Sequence, residues 1–224
     1  MFVYEWQAGP MTMSTKHMSL SERVEELLAT GGPLPIVAAG DPVLRDVTEP
    51  YDGQLGDALL DRFVAALRET MHAAPGVGLA APQVGIPLSI AVVEDRARGP
   101  EQVLQARGRI PLPFRVLVNP VYEPEGEDRA AFFEGCLSVP GWQAVTARHA
   151  RVRLRGQDER GNAVDEVFTG WSARIVQHET DHLRGTLYLD VAELRSLSAN
   201  EAVAERWSQP TAKTAAQALG FELP

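Results

Sequence analysis

The segment Gln177-His178-Glu179-Thr180-Asp181-His182 places two imidazoles four residues apart with a carboxylate between them. On a helix of about 3.6 residues per turn, His178 and His182 stack one turn apart on a single face. There both can ligate one ion, with Glu179 beside them as a base. The chain has one cysteine, Cys136, in Glu134-Gly135-Cys136-Leu137-Ser138. Its thiolate would complete a set of three ligands and leave a position open, which separates a catalytic metal site from a structural one. A divalent ion held by one thiolate and two neutral imidazoles keeps a net positive charge, which acidifies a water at neutral pH. Sulfur with two nitrogens suits zinc and ferrous iron alike. His17, His72 and His149 stand alone and read as ordinary surface or core residues.

Two glycine-flanked segments, Gly76 to Gly85 and Glu134 to Gly141, read as turns able to bring backbone amides beside a substrate. Gly76-Val77-Gly78-Leu79-Ala80-Ala81 also fits a loose dinucleotide fingerprint, G-x-G-x-x-A. That fingerprint follows a strand and opens a helix. Here a helical pattern precedes it, and Pro82 and Pro87 follow ahead of a strand, so the context excludes it.

The elements that position these residues follow from periodicity. The metal helix is expected to start near Ser172 as N-cap and to stop at Gly185. Ser19-Leu20-Ser21-Glu22 predicts a capping box opening a helix through Leu28, and Leu55, Leu59, Leu60, Phe63, Val64, Leu67 and Met71 mark an amphipathic helix from about Gln54 to Ala74. Pro87 to Val93, Arg115 to Val121, Trp142 to Thr146, Arg151 to Arg155 and Ala163 to Phe168 read as strands of a mainly antiparallel sheet. Arg151, Arg153 and Arg155 share one face of their strand, best explained as a solvated face. Asp95 to Pro113 reads as an extended loop, and Ser198-Ala199-Asn200-Glu201 as a second capping box for a helix to about Trp207. The whole is an α+β chain. Residues 1–18 read as a flexible leader or expression remnant, 19–190 as the catalytic domain and 191–224 as a helical tail.

Composition bounds the function. A chain of 224 residues with 45% hydrophobic content can bury a core, and a net charge of −9 argues against a DNA or general polyanion binder. One cysteine excludes an intrachain disulfide framework and fits a reducing, cytoplasmic setting. No apolar run spans a bilayer, and the first residues do not form a secretory signal.

The segments GVGLAAPQ, EGCLS and QHETDH, in this order, resemble the three signature motifs of the peptide deformylases, bacterial and organellar enzymes that remove the formyl group from nascent N-formylmethionyl chains. The resemblance runs from about Pro35, through Ala39-Gly40-Asp41-Pro42-Val43-Leu44-Arg45, to Leu187-Tyr188-Leu189-Asp190. It implies sheets packed around a central metal-binding helix. It also implies Cys136, His178 and His182 as metal ligands, Glu179 as acid and base, and Gln83 with the Leu137 backbone N–H as holders of the formyl oxygen. Gly78 matches the glycine whose carbonyl receives the substrate amide, and Glu134 with Arg148 resembles an ion pair bracing the cysteine strand. Asp181 or Gln177 is a candidate to orient an imidazole. Ferrous iron is the implied metal, with zinc, nickel or cobalt after handling in air. N-formylmethionyl nascent peptides and a transient ribosome contact are the implied partners. Trp142-Gln143 departs from the charged pair of many relatives, so the methionine-pocket residues are not carried over. A zinc endopeptidase shares His-Glu-x-x-His but takes a downstream His or Glu, and no histidine follows His182. A non-catalytic metal-binding module would need neither Glu179 nor Gln83.

Overall fold

The computed structural model describes residues 18–224; all but the last residue of the expected leader lies outside them. The chain enters through α1 (Leu20–Ala29). Ser19 and Glu22 exchange side-chain-to-backbone hydrogen bonds as the capping box predicts. The longer amphipathic helix α2 (Gly56–Ala73) buries Leu59, Leu60, Phe63, Val64, Leu67 and Met71.

A five-stranded antiparallel sheet lies between helices. Its strands are β1 (Gly78–Ala80), β2 (Ile90–Asp95), β3 (Leu112–Pro124), β6 (Arg151–Gln157) and β7 (Ala163–Thr169), in the spatial order β1-β2-β3-β6-β7. Successive side chains of a strand face opposite sides. Ile90, Val92, Val116 and Val118 therefore join the core under α1 and α2, while Ala91, Val93 and Leu117 join a second core under α4 (Gly170–His182). Burial on both faces explains why β2 reads as a continuous apolar run and not as an alternating one. A three-stranded sheet, β4 (Arg129–Gly135), β5 (Trp142–His149) and β8 (Ala192–Ala199) in the order β4-β5-β8, covers the other side of the site.

Several expectations are corrected. Helix α4 starts at Gly170 after Thr169, and Ser172 is buried within its first turn. The start is set by tertiary docking: Gly170 adopts φ +58, and a Cβ there would lie 2.6 Å from the Gly108 carbonyl. The expected loop from Asp95 to Pro113 holds a short helix, α3 (Glu101–Ala106). Strand β4 lies outside every strand expected from the sequence. The tail beyond Asp190 opens with a strand, β8, before α5 (Asn200–Arg206) and α6 (Lys213–Leu219). Its second capping box does not form: Ala199 is the N-cap, and Ser198 Oγ donates to the Ser196 carbonyl. Arg151, Arg153 and Arg155 are ion-paired to Glu125, Asp165 and Glu123 on the solvent side, as a solvated face requires. Among the described residues no helix is long and apolar enough to cross a membrane.

Candidate metal centre

Helix α4 carries His178 and His182 into the space between the two sheets, their ring centres 4.9 Å apart. Cys136 stands just beyond the end of β4, with its Sγ 3.2 Å from His182 Nε2. One ligand atom from each of Cys136, His178 and His182 lies within 4.8 Å of the others, a spacing a single ion can bridge. The donor chemistry fits such an ion. His178 Nδ1 is engaged by Glu134 at 2.6 Å, which leaves Nε2 for the metal. Burial opposes a proton on His178, yet the Cys136 sulfur and the Glu134 carboxylate draw its pKa well above the ordinary value, so the pocket favours positive charge. Burial, with His178 and Arg148 nearby, holds His182 well below its ordinary value, neutral as a ligand must be.

The group that fixes His178 is therefore Glu134, not Asp181 or Gln177. Gln177 is spent on the backbone of His149, and Asp181 is buried, accepting from Tyr122 at 3.0 Å and pairing with Arg148. Glu134 also receives Arg148 at 2.7 Å and Arg174 at 2.6 Å. Burial alone would raise its pKa, but Arg148, His178 and Arg174 overcome that and hold it well below the usual carboxylate range. The expected Glu134–Arg148 pair is present, but Arg174 and the link to His178 carried no sequence signal beyond a glutamate two residues before the cysteine.

Glu179 is buried beside the cluster, its Oε2 unpaired among the described residues. Burial pushes its pKa up to about 7, within range for proton transfer near neutral pH. Its space exists because residue 78 is glycine: a Cβ there would sit 2.5 Å from Glu179 Cδ. Gly78 opens β1, the edge strand of the larger sheet. Glu94 N–H donates to the Val77 carbonyl, so the next pair, Gly78 with Val93, is the non-bonded kind, and the Gly78 N–H and C=O point off the free edge.

Gln83 lies in a 3-10 turn directly after β1. Its Oε1 accepts from Ala80 N–H at 2.8 Å, which aims its amide nitrogen at Ser138 Oγ and Cys136 Sγ, 3.3 and 3.5 Å away. The Leu137 N–H has no protein partner among the described residues. Gly78, Gln83, Cys136, Leu137 and His178 all line one groove of about 590 Å³. Tyr188 stacks on His178, and its hydroxyl donates to the Trp142 carbonyl at 3.1 Å.

An α+β fold with Cys-His-His donors, a buried carboxylate and an open groove defines a hydrolase with one metal ion at its centre. The family model for polypeptide deformylase matches residues 33–197. The chain is 73% identical over 214 residues to peptide deformylase 1 of Streptomyces coelicolor, covering 96% of this chain and 98% of that protein. It is 77% identical over 205 residues to peptide deformylase 3 of Streptomyces avermitilis, covering 92% of each. Among solved structures, the Met-Ala-Ser-bound class I type b peptide deformylase from Acinetobacter baumannii superposes with a TM-score of 0.65 at 32% identity, covering 71% of this chain and 98% of that one. The chain belongs to the peptide deformylase family. It is a hydrolase that removes the N-formyl group from nascent peptides.

Proposed function

We propose that Cys136, His178 and His182 hold one divalent ion, ferrous iron, and that Glu179 is the acid and base of deformylation. The observation that carries this is the approach of the three donor atoms to within 4.8 Å, next to a buried carboxylate whose Oε2 has no partner among the described residues. When bound, the ion supplies Lewis acidity, stabilising charge that develops at the formyl group. Glu179 takes the proton of the attacking water and delivers it to the leaving amine, the order its pKa near 7 supports. The Gln83 amide and the Leu137 N–H hold the formyl oxygen as it gains negative charge; losing one such donor costs about 3 kcal/mol of barrier. The Gly78 carbonyl receives the amide of the substrate's first residue.

The same reading takes the catalytic domain as 19–190, with 191–224 as a tail. Its setting is the cytoplasm, where N-formylmethionyl nascent peptides are met in transient contact with the ribosome. The tail offers only Arg195, Arg206 and Lys213 as cations, so that contact does not rest on it.

The test is anaerobic purification with metal quantitation and a formyl-Met-Ala-Ser assay of wild type and Glu179→Gln. One iron per chain is expected in both, with turnover reduced at least about a hundredfold in the variant. A variant with wild-type turnover overturns the Glu179 assignment, and zinc alone in protein kept anaerobic throughout overturns iron.

A further inference from the structure

Helix α5 begins at Asn200, beyond the stretch matched by the family model, which ends at residue 197; yet Asn200 lines the same groove as Cys136 and His178. Its position follows from the smaller sheet. At the end of β8, Ser198 and Ala199 pair with Gln143 and Trp142 of β5, and the Asn200 N–H donates to the Gly141 carbonyl at 2.9 Å. Val203, Trp207 and Phe221 of the tail pack with Phe133 of β4 and Val145 of β5, which anchors α5 on the strands that carry the site. So placed, Asn200 Oδ1 accepts from Gln143 Nε2 at 3.0 Å.

Gln143 in turn stands next to the chemistry. It is the register partner of Gly135, the residue before Cys136, and a Cβ on Gly135 would lie 3.1 Å from Gln143 Cγ. The Gln143 side chain therefore lies against Gly135, one residue from a proposed metal ligand. The bond between the two amides uses one donor and one acceptor. Gln143 Oε1 and Asn200 Nδ2 are left without another side-chain bond among the described residues. Neither is sealed off: Gln143 is half-buried and Asn200 exposed.

A free acceptor beside a free donor matches a polypeptide main chain, because a residue in extended conformation presents its own N–H and C=O on the same side. The next residue turns those groups to the opposite side. A substrate whose first residue bonds Gly78 on the edge of β1 thus offers the N–H and C=O of its second residue to the other sheet, the one that carries Gln143 and Asn200.

We propose that, on the deformylase reading of this groove, Gln143 and Asn200 form a main-chain subsite for the peptide's second residue. Asn200 Nδ2 donates to its carbonyl, and Gln143 Oε1 accepts its N–H. The tail beyond the matched stretch is then a wall of the substrate groove and not an appendage to it.

The experiment measures kcat and KM of the metal-loaded full chain on formyl-methionine methyl ester, which has no second residue, and on formyl-Met-Ala-Ser amide. It is run on wild type, Asn200→Asp and Gln143→Leu. Asn200→Asp keeps an acceptor for the Gln143 amide, and so keeps the brace, but removes the donor offered to the peptide. Wild type is expected to favour the longer substrate at least about tenfold in kcat/KM, and each variant to cut that preference about fivefold through KM, as the loss of one hydrogen bond implies. Equal use of the two substrates by wild type overturns the subsite. So does an undiminished preference in Asn200→Asp, or an equal fractional loss on both substrates, the mark of a brace that only holds β5. Failure of wild type to deformylate either compound overturns the deformylase reading itself.

Discussion

Two arginine–carboxylate clusters of similar bond length sit in opposite surroundings. On the outer face of β6 and β7, Arg155 meets Glu123 at 2.8 Å with side chains 51% and 62% exposed. Beneath α4, Arg148 meets Glu134 at 2.7 Å with side chains 5% and 6% exposed. In water the attraction is screened and offset by the entropy of holding two long side chains, so the outer ladder contributes little and serves solubility. In the interior each ion has lost its hydration, and only its partners keep it tolerable. Distance alone does not separate the two clusters; burial does. The inner cluster also holds His178 Nδ1, so its geometry reaches the proposed metal ligands, whereas the outer one touches none of them.

The comparison breaks first at Glu134. Glu134→Ala leaves Arg174 and the ring N–H of His178 without a carboxylate and Arg148 with Asp181 alone. A loss of about 3–5 kcal/mol of stability is expected, with metal content and turnover falling alongside, as read by denaturant unfolding and elemental analysis. Unchanged values would place the inner cluster in the same class as the outer one. Asp181→Asn sharpens the contrast, since Arg148 keeps Glu134 while losing its second acid. About 1–3 kcal/mol is expected, with metal still bound at one per chain. Arg153→Ala is the smallest change: the unfolding midpoint and the deformylation rate should both match wild type, and raising NaCl from about 0.1 to 1 M should leave the Glu134→Ala deficit in place. A measurable midpoint drop in Arg153→Ala would show that the outer ladder is more than a solvated face.

The pieces legible in the sequence are those whose signal is local. The Ser19–Glu22 box, the spacing of Leu59, Phe63, Leu67 and Met71, and the pair His178 and His182 each follow from a repeat of three or four residues. Strand β8 was not legible because Val191, Leu194 and Leu197 recur at helical spacing; it is a strand because it pairs with the distant edge of β5, with Thr146 opposite Ala192. Strand β4 opens on Arg129-Ala130-Ala131, weak strand formers that gain their conformation from seven pairs with β5. Helix α3 is six residues long with no side-chain cap, too short to declare itself. At the site, residue types and ligand spacing were visible in advance. The partners of Glu134 were not, because a buried ion cluster is assembled from β4, β5 and α4 and leaves no pattern within any one of them.

The open edge of β1 limits what can dock there. An exposed edge invites pairing with any extended chain, including a second copy. Here it is three residues long, about 10 Å at strand rise, and its next outward donor, the Ala80 N–H, is already taken by Gln83 Oε1. Such a ledge accommodates the tip of a polypeptide and rejects its middle. Length selection of this kind ignores the order of amino acids, which suits a catalyst that must accept the beginning of many different proteins.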